Sequence, residues 1–351
     1  MNAGLWREGS LGRAPEGGRS LRRRVPAWVK LALIAAFLAC LGWLLFIIIQ
    51  YFLTHQPIDR LPGVPSRVGD LFARPPQYLR SIPEVRRPLG VAVSGDGNVY
   101  VTESGGERMI RVYDSAGREI ASFAPPGTAA ASRVPVYVAI GPSGDVYVSD
   151  RDAGTIYIFS AGGVPLGRVP SPLPQEEAWH PLGLTFDALG NLYVTDVTPG
   201  KHRVLVLGGD GSLKLQFGKQ GSAAGEFWYP NAVAIDGQAR IYVSDSNNGR
   251  VQVFDSTGRY LHAIARSGAA GGLSLPRGLA IDDEDHLFVA DTSRQLVQVY
   301  DVSEAPRLLH AFGGAPGSAS EFRYPNGLAL DGQGGVYVTD REHDRVQIWK
   351  Y

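Results

Sequence analysis

From residue 88 to the end of the chain, short apolar runs alternate with polar turns, and the alternation keeps one phase. In 327–349 the order is GLALD, GQGG, VYVTD, the polar REHD and then RVQIW. Runs of this length, rich in Val, Ile, Tyr and Phe and bounded by Gly, Asp and Asn, predict antiparallel strands rather than helices. The phase can be read from the prolines that open each unit. Pro88, Pro135, Pro181, Pro230, Pro276 and Pro325 are separated by 47, 46, 49, 46 and 49 residues. Fifteen residues after each proline stands an acid (Glu103, Asp150, Asp196, Asp245, Asp291 and Asp340), and no unit needs a gap to show it. Residues 11 to 13 after the prolines read VYV, VYV, LYV, IYV, LFV and VYV. Complete units add a fourth run: EIASFA (119–124), LKLQFG (213–218), YLHAIA (260–265) and LLHAFG (308–313). Four strands per unit at a period in the roughly 40–50-residue range is the pattern of propeller blades. The repeat therefore predicts an all-β fold, a six-bladed β-propeller.

The last unit stops after its third run, at Tyr351. Ahead of the first unit, YLRSIP at 78–83 reads like YLHAIA and belongs to no blade of its own. It is expected to pair beside RVQIW and to close the ring, burying Leu79 and Ile82. Closure removes the last open sheet edge, which would otherwise template association.

The motifs PNAVAID, RIYVSD and NNGRVQVF resemble those of the NHL-repeat family of six-bladed β-propellers, and the resemblance spans roughly residues 77–351. It implies the fold. It leaves function open, because propellers host both enzymes and binding modules. The first unit departs from the pattern with Glu103 in place of Asp. The second carries Val136-Tyr137 and Thr155 where Gly and Arg are expected.

The first 76 residues are different in kind. From 31 to 53, LALIAAFLACLGWLLFIIIQYFL runs for 23 residues without a charge. At about 1.5 Å per residue a helix of this length exceeds a hydrocarbon core of roughly 30 Å. It is also longer than the apolar core of a cleaved signal peptide. A transmembrane helix is expected over 27–53, anchoring the chain through Leu31 to Leu53. Arg7, Arg13, Arg19, Arg22, Arg23, Arg24 and Lys30 precede it, and only Arg60 and Arg67 fall in the twenty residues after it. The positive-inside rule then places a basic tail, 1–26, in the cytoplasm and the propeller outside, as a single-pass protein of the cell membrane. Residues 54–76 contain five prolines and read as a semi-rigid stalk leading to the propeller at 77–351. Cys40 is the sole cysteine and lies in the span, so the propeller has neither a disulfide nor a thiolate metal site. That usage suits a bacterial cell envelope. Charge is balanced overall at 34 basic and 34 acidic residues, but 1–76 hold ten and four, which leaves 24 and 30, a net of −6, for the rest. A mildly acidic propeller argues against nucleic acid as a partner.

Candidate chemistry lies around the axis. The residues just after the marker prolines are Leu89, Val136, Leu182, Asn231, Arg277 and Asn326, half apolar and half polar. Asn231, Arg277 and Asn326 would form a polar crescent, either satisfying neighbouring backbone and channel water or meeting a ligand. Two inter-blade segments nearly match, GKQGSAAGEFWYPN (218–231) and GGAPGSASEFRYPN (313–326). They bring Trp228, Arg323 and two tyrosines, Tyr229 and Tyr324, to the same end. Aromatic and Arg residues mark binding hot spots, although Phe227, Tyr229, Phe322 and Tyr324 recur in register and so also read as inter-blade packing. The repeated acids occur once per blade and read as turn devices that accept backbone N–H groups or pair with Arg250 and Arg345.

The amidating lyase of peptidyl-hydroxyglycine is a similar propeller, and that resemblance implies zinc held by histidines on the axis. Here His180, His202, His262, His286, His310 and His343 sit at −1, +21, +32, +10, +34 and +18 from their prolines, so no two share a direction. His180 alone is expected near the opening. Lactonase-type propellers bind axial calcium through Glu, Asn and Asp; Asn231 and Asn326 would be two such ligands, with no Glu at an equivalent place. The expectation is a membrane-anchored, non-catalytic module without a cofactor, unless calcium occupies the axis. It would bind a protein or cell-surface ligand through Asn231, Arg277, Asn326, His180, Trp228 and Arg323. A metal-dependent lyase or lactonase, and a structural subunit of an envelope complex, are the alternatives.

Overall fold

The computed structural model describes residues 29, 35–39, 41–46, 49, 75–174, 177–264 and 272–351. From Gln77 onward the chain forms six four-stranded antiparallel sheets, together with a two-residue parallel pairing of Lys219–Gln220 with Glu226–Phe227. Each sheet is one blade. Blade one, for example, runs Pro88–Val93, Val99–Glu103, Ile110–Tyr113 and Glu119–Phe123 in spatial order. The innermost strands are Pro88–Val93, Pro135–Ile140, Pro181–Phe186, Pro230–Ile235, Pro276–Ile281 and Pro325–Leu330, and each packs beside the next around the axis. The last of them returns to the first, closing the ring. Blade two also has a fourth strand, Pro165–Val169, which the repeat pattern did not single out.

Ring closure follows the expected route. Gln77–Ile82 pairs antiparallel with Arg345–Lys350, with Ile82 opposite Val346 and Tyr78 opposite Trp349. Ile82 is fully buried, and Tyr78 meets the Trp349 indole edge to face with centroids 5.6 Å apart. Leu79 is a correction. The register shifts between Tyr78 and Arg80, and Leu79 faces solvent, 56% exposed. The bulge gives Tyr78 the apolar contact that Leu79 was expected to make.

Blade-to-blade packing explains the middle of the repeat. Val101, Val148, Val194, Val243, Val289 and Val338 are all fully buried in clusters that join neighbouring sheets. Near the axis the innermost strands crowd together. A Cβ on Gly90 would lie 2.6 Å from the Val136 carbonyl oxygen, and one on Gly278 2.5 Å from that of Asn326. Glycine is required at those two positions because backbone, which cannot step aside, fills the space.

The N-terminal segment is described only in part. Residues 35–39 and 41–46 are helical, and Phe37, Leu38, Leu41, Leu44 and Leu45 are exposed. The remainder of the span expected over 27–53, the tail 1–26 and the stalk up to residue 74 lie outside the described residues. Among those described, no helix is long and apolar enough to cross a membrane.

Candidate axial binding face

The ring that carries the site is set by a side chain in the strand behind it. In blade one the Thr102 hydroxyl accepts from the Gly90 N–H and donates to the Val136 carbonyl of the next blade, at 2.8 and 2.7 Å. Ser149 donates to the Leu182 carbonyl (2.7 Å), Ser244 to that of Arg277 (2.7 Å) and Thr339 to that of Leu89 (2.9 Å). Thr195 reaches the Asn231 carbonyl at 3.5 Å. In blade five Ala290 has no hydroxyl, and Thr292 instead donates to the Pro325 carbonyl at 2.6 Å. In the other five blades, therefore, the hydroxyl before the repeated acid anchors the backbone of the neighbouring blade's axial residue.

The acids themselves behave as turn devices. Each is completely buried and accepts a backbone N–H from just before its own blade's proline: Glu103 from Arg86, Asp150 from Val134, Asp196 from His180, Asp245 from Trp228, Asp291 from Ser274 and Asp340 from Arg323. Arg250 and Arg345 pair with Asp245 and Asp340, both at 2.8 Å.

With the backbone fixed, side chains decide what the axis presents. Tyr137 stands where other blades have Gly or Ala. Its hydroxyl donates to Asn231 Oδ1 at 3.0 Å, linking blades two and four past blade three. The ring is buried, and burial raises its hydroxyl pKa against the pull of the nearby Arg277 charge. Arg277 donates through Nη1 to Asn326 Oδ1 at 3.1 Å and through Nη2 to the Tyr324 hydroxyl at 2.9 Å. Asn326 Nδ2 donates to the Leu89 carbonyl at 3.0 Å. So the polar crescent consists of two bonded pairs, Arg277 with Asn326 and Asn231 with Tyr137, a residue absent from the expected set. The signal was present in the sequence: a large residue at a position the repeat gives to glycine.

A cationic and aromatic rim surrounds this core. The guanidinium carbons of Arg277 and Arg341 lie 5.2 and 5.1 Å from the Tyr324 ring centroid, within cation–π reach. Arg151 donates to the Tyr229 hydroxyl at 2.9 Å, again from blade two to blade four. Tyr229 and Tyr324 occupy matching places before their prolines, and both have left-handed backbone, φ 63° and 66°. A bulky residue there costs about 1–3 kcal/mol. Phe227 and Phe322 are fully buried between blades, as inter-blade packing predicts, whereas the two tyrosines turn to the arginines. Arg151 and Arg341 were also missed. They directly follow the repeated acid, where Ser104, Ser246 and Thr292 stand in blades one, four and five.

Of the other expected residues, Trp228 is 51% exposed and Arg323 is exposed; the bond from Arg87, then the charges of Arg87, Arg341 and Arg323, lower the Glu342 carboxyl pKa. His180 is only partly exposed, and its ring bonds the Thr198 hydroxyl at 3.2 Å rather than a residue of the crescent. His202 accepts the Tyr229 N–H at 3.1 Å, while His286 and His343 lie against Asp282 and Asp340. Among the described residues no three His, Cys, Asp or Glu are grouped to hold a metal ion. Calcium takes oxygen ligands, yet both asparagine oxygens are engaged, one by Tyr137 and one by the Arg277 guanidinium. A separate cleft of about 450 Å³, lined by residues including Pro142, Tyr147, Arg168, Phe186 and Leu189, opens at the other end of blades two and three and includes none of the expected residues.

The NHL repeat model matches residues 227–254, 273–300 and 322–349. Blades four to six carry NHL repeats. No curated protein matches the sequence. Among solved structures, this propeller is similar to streptogramin B lyase (TM-score 0.56, 15% identity, covering 78% of this chain and 98% of that one). The propeller is similar also to a luciferin-regenerating enzyme (0.60, 16%, 79% and 95%) and to a chain of the nidogen/laminin complex (0.54, 18%, 70% and 86%). At these identities the likeness is one of fold.

Proposed function

We propose that the protein is a membrane-anchored, extracytoplasmic recognition module that binds a protein or another cell-surface ligand at the axial face, without catalysis. The observation that carries the binding reading is the rim. Arg151 reaches Tyr229 and Arg277 reaches Tyr324 from other blades, and Arg341 lies over the same Tyr324 ring, beside exposed Trp228 and Arg323. Such residues dominate interface energetics. The uncharged 31–53 stretch and the basic residues before it support the anchor, as does the exposure of its described apolar side chains. Fold likeness does not choose between roles, since the similar structures include lyases, a luciferin-regenerating enzyme and a protein complex.

Two measurements test this. A reporter fused after Tyr351 should be active only outside the cytoplasm, and reversing the charges at Arg22, Arg23, Arg24 and Lys30 should scramble that result; cytoplasmic activity of the unmutated fusion would refute the anchor. A photocrosslinking residue at Arg323 or Trp228 in living cells should give a discrete adduct, while one at Leu189, in a turn at the other end of blade three, should not. Equal labelling at both ends would sink the assignment of the face.

A further inference from the structure

We propose that the mouth of the axis is an oxyanion site, taking a carboxylate or phosphate group of the ligand between Arg277 and Arg341; it rests on the binding reading above. Three side-chain atoms there are buried and find no protein partner: Asn231 Nδ2, Arg277 Nε and Arg341 Nε. All three are donors. They cannot satisfy one another, and a buried donor left without an acceptor is costly, more so on a charged group. Arg277 and Arg341 both lie against the Tyr324 ring, and Arg277 is close enough to Tyr137, the partner of Asn231, for its charge to be felt there. The orphan donors thus belong to one neighbourhood.

The charge balance around them points the same way. Five arginines occupy the face: Arg87, Arg151, Arg277, Arg323 and Arg341. The acids facing them are Glu342, shared by Arg87 and Arg341, Asp152 on Arg151, and Asp344, which accepts the Arg87 backbone N–H. Arg277 has no carboxylate partner; its two Nη groups go to the neutral oxygens of Asn326 and Tyr324. Burial and then the neighbouring Arg87 charge, with a smaller push from Arg277, pull the Arg341 guanidinium below its ordinary range against the attraction of Glu342. An oxyanion would accept from the free Nε–H groups and relieve the crowding of like charge, as charge-assisted bonds to arginine do elsewhere. The Tyr324 ring would wall the group, with Trp228 exposed on the same face for whatever the anion is attached to.

The test uses the purified full chain, titrated calorimetrically and followed by thermal melting with sodium citrate, inorganic phosphate or sodium chloride at one ionic strength. A saturable response to citrate, to phosphate or to both, but not to chloride, is expected, and which anion works assigns the group as carboxylate or phosphate. Arg277→Gln and Arg341→Gln should each weaken binding by roughly tenfold or more, while Arg277→Lys should lose less. If Arg277→Gln does not fold, Arg341→Gln carries the comparison alone. Absence of saturation with both anions, or an undiminished response in the folded variants, would overturn the proposal. Saturable binding without a crosslinked adduct at residue 323 would retire the partner reading and keep the site; adducts without an anion response would do the reverse.

Discussion

Around the axis, blades one to three contribute Leu89, Val136 and Leu182, and blades four to six contribute Asn231, Arg277 and Asn326 from equivalent places. The backbone is treated alike in both halves: a buried acid holds each turn before the proline, and hydroxyls tie blade to blade. Only the side chains differ. Positions whose chemistry recurs from blade to blade, the hydroxyl and the acid, build the ring. The positions beside the proline and, in blades two and six, directly after the acid are where polarity, charge and aromatic surface collect. Blade two crosses this division, since Tyr137 and Arg151 reach from the apolar half to Asn231 and Tyr229 in the polar one.

Opening the ring breaks both halves together. Deleting residues 77–83 removes the strand opposite Arg345–Lys350, with buried Ile82 and the Tyr78–Trp349 contact. Each such buried side chain is worth about 1.5–3 kcal/mol, against a total domain stability of about 5–15 kcal/mol. The shortened chain should fail to fold or should aggregate through the exposed edge, whereas deletion of 56–70 should leave the melting temperature unchanged. Equal melting of the two would disprove closure by the N-terminal strand.

Next in size is the acid. Asp340→Ala leaves Arg345, Gln347 and the Arg323 N–H without their shared carboxylate, and Asp196→Ala does the same to Arg203 and the His180 N–H. Each should cost on the order of 3–5 kcal/mol in urea unfolding. Similar losses in blades three and six are expected if the framework is common to both halves; a loss confined to blade six would show that it is not.

Substitution at the rim should do the opposite. Arg341→Gln removes a charge that burial and Arg87 already disfavour, so stability should stay within about 0.5 kcal/mol or rise, while anion binding falls. A large destabilisation would make Arg341 part of the framework instead.

The smallest effect separates the axis from the blade five–six seam, where the His286 ring meets Tyr351 edge to face at 5.3 Å. Burial alone would lower the His286 pKa, but Asp282 at 3.0 Å, with Glu284 and Asp301, raises it. A raised histidine pKa stabilises the fold below the unfolded value of about 6.5 and loses that contribution as pH rises through the folded pKa. The stability gap between the wild type and His286→Gln should therefore be largest near pH 5–6 and fade at higher pH, by about 1 kcal/mol or less. Anion binding should not follow it.

The sequence by itself determined the blade count, the strand order within a blade, the role of the repeated acids and the strand that closes the ring. Each of these is written once per period, or repeats a motif seen elsewhere in the chain, so local pattern suffices to read it. It also located the polar crescent, because the marker proline fixes which residue follows it toward the axis. Leu79 went astray because one bulge shifts the register of a strand whose own pattern does not show it. Tyr137 and Asn231 are 94 residues apart, Arg151 and Tyr229 are 78, and Arg277 and Tyr324 are 47. Those meetings exist only once six blades share one axis. Around so narrow a ring, side chains from non-adjacent blades come within hydrogen-bonding distance of one another, and no periodicity along the chain encodes which ones will touch.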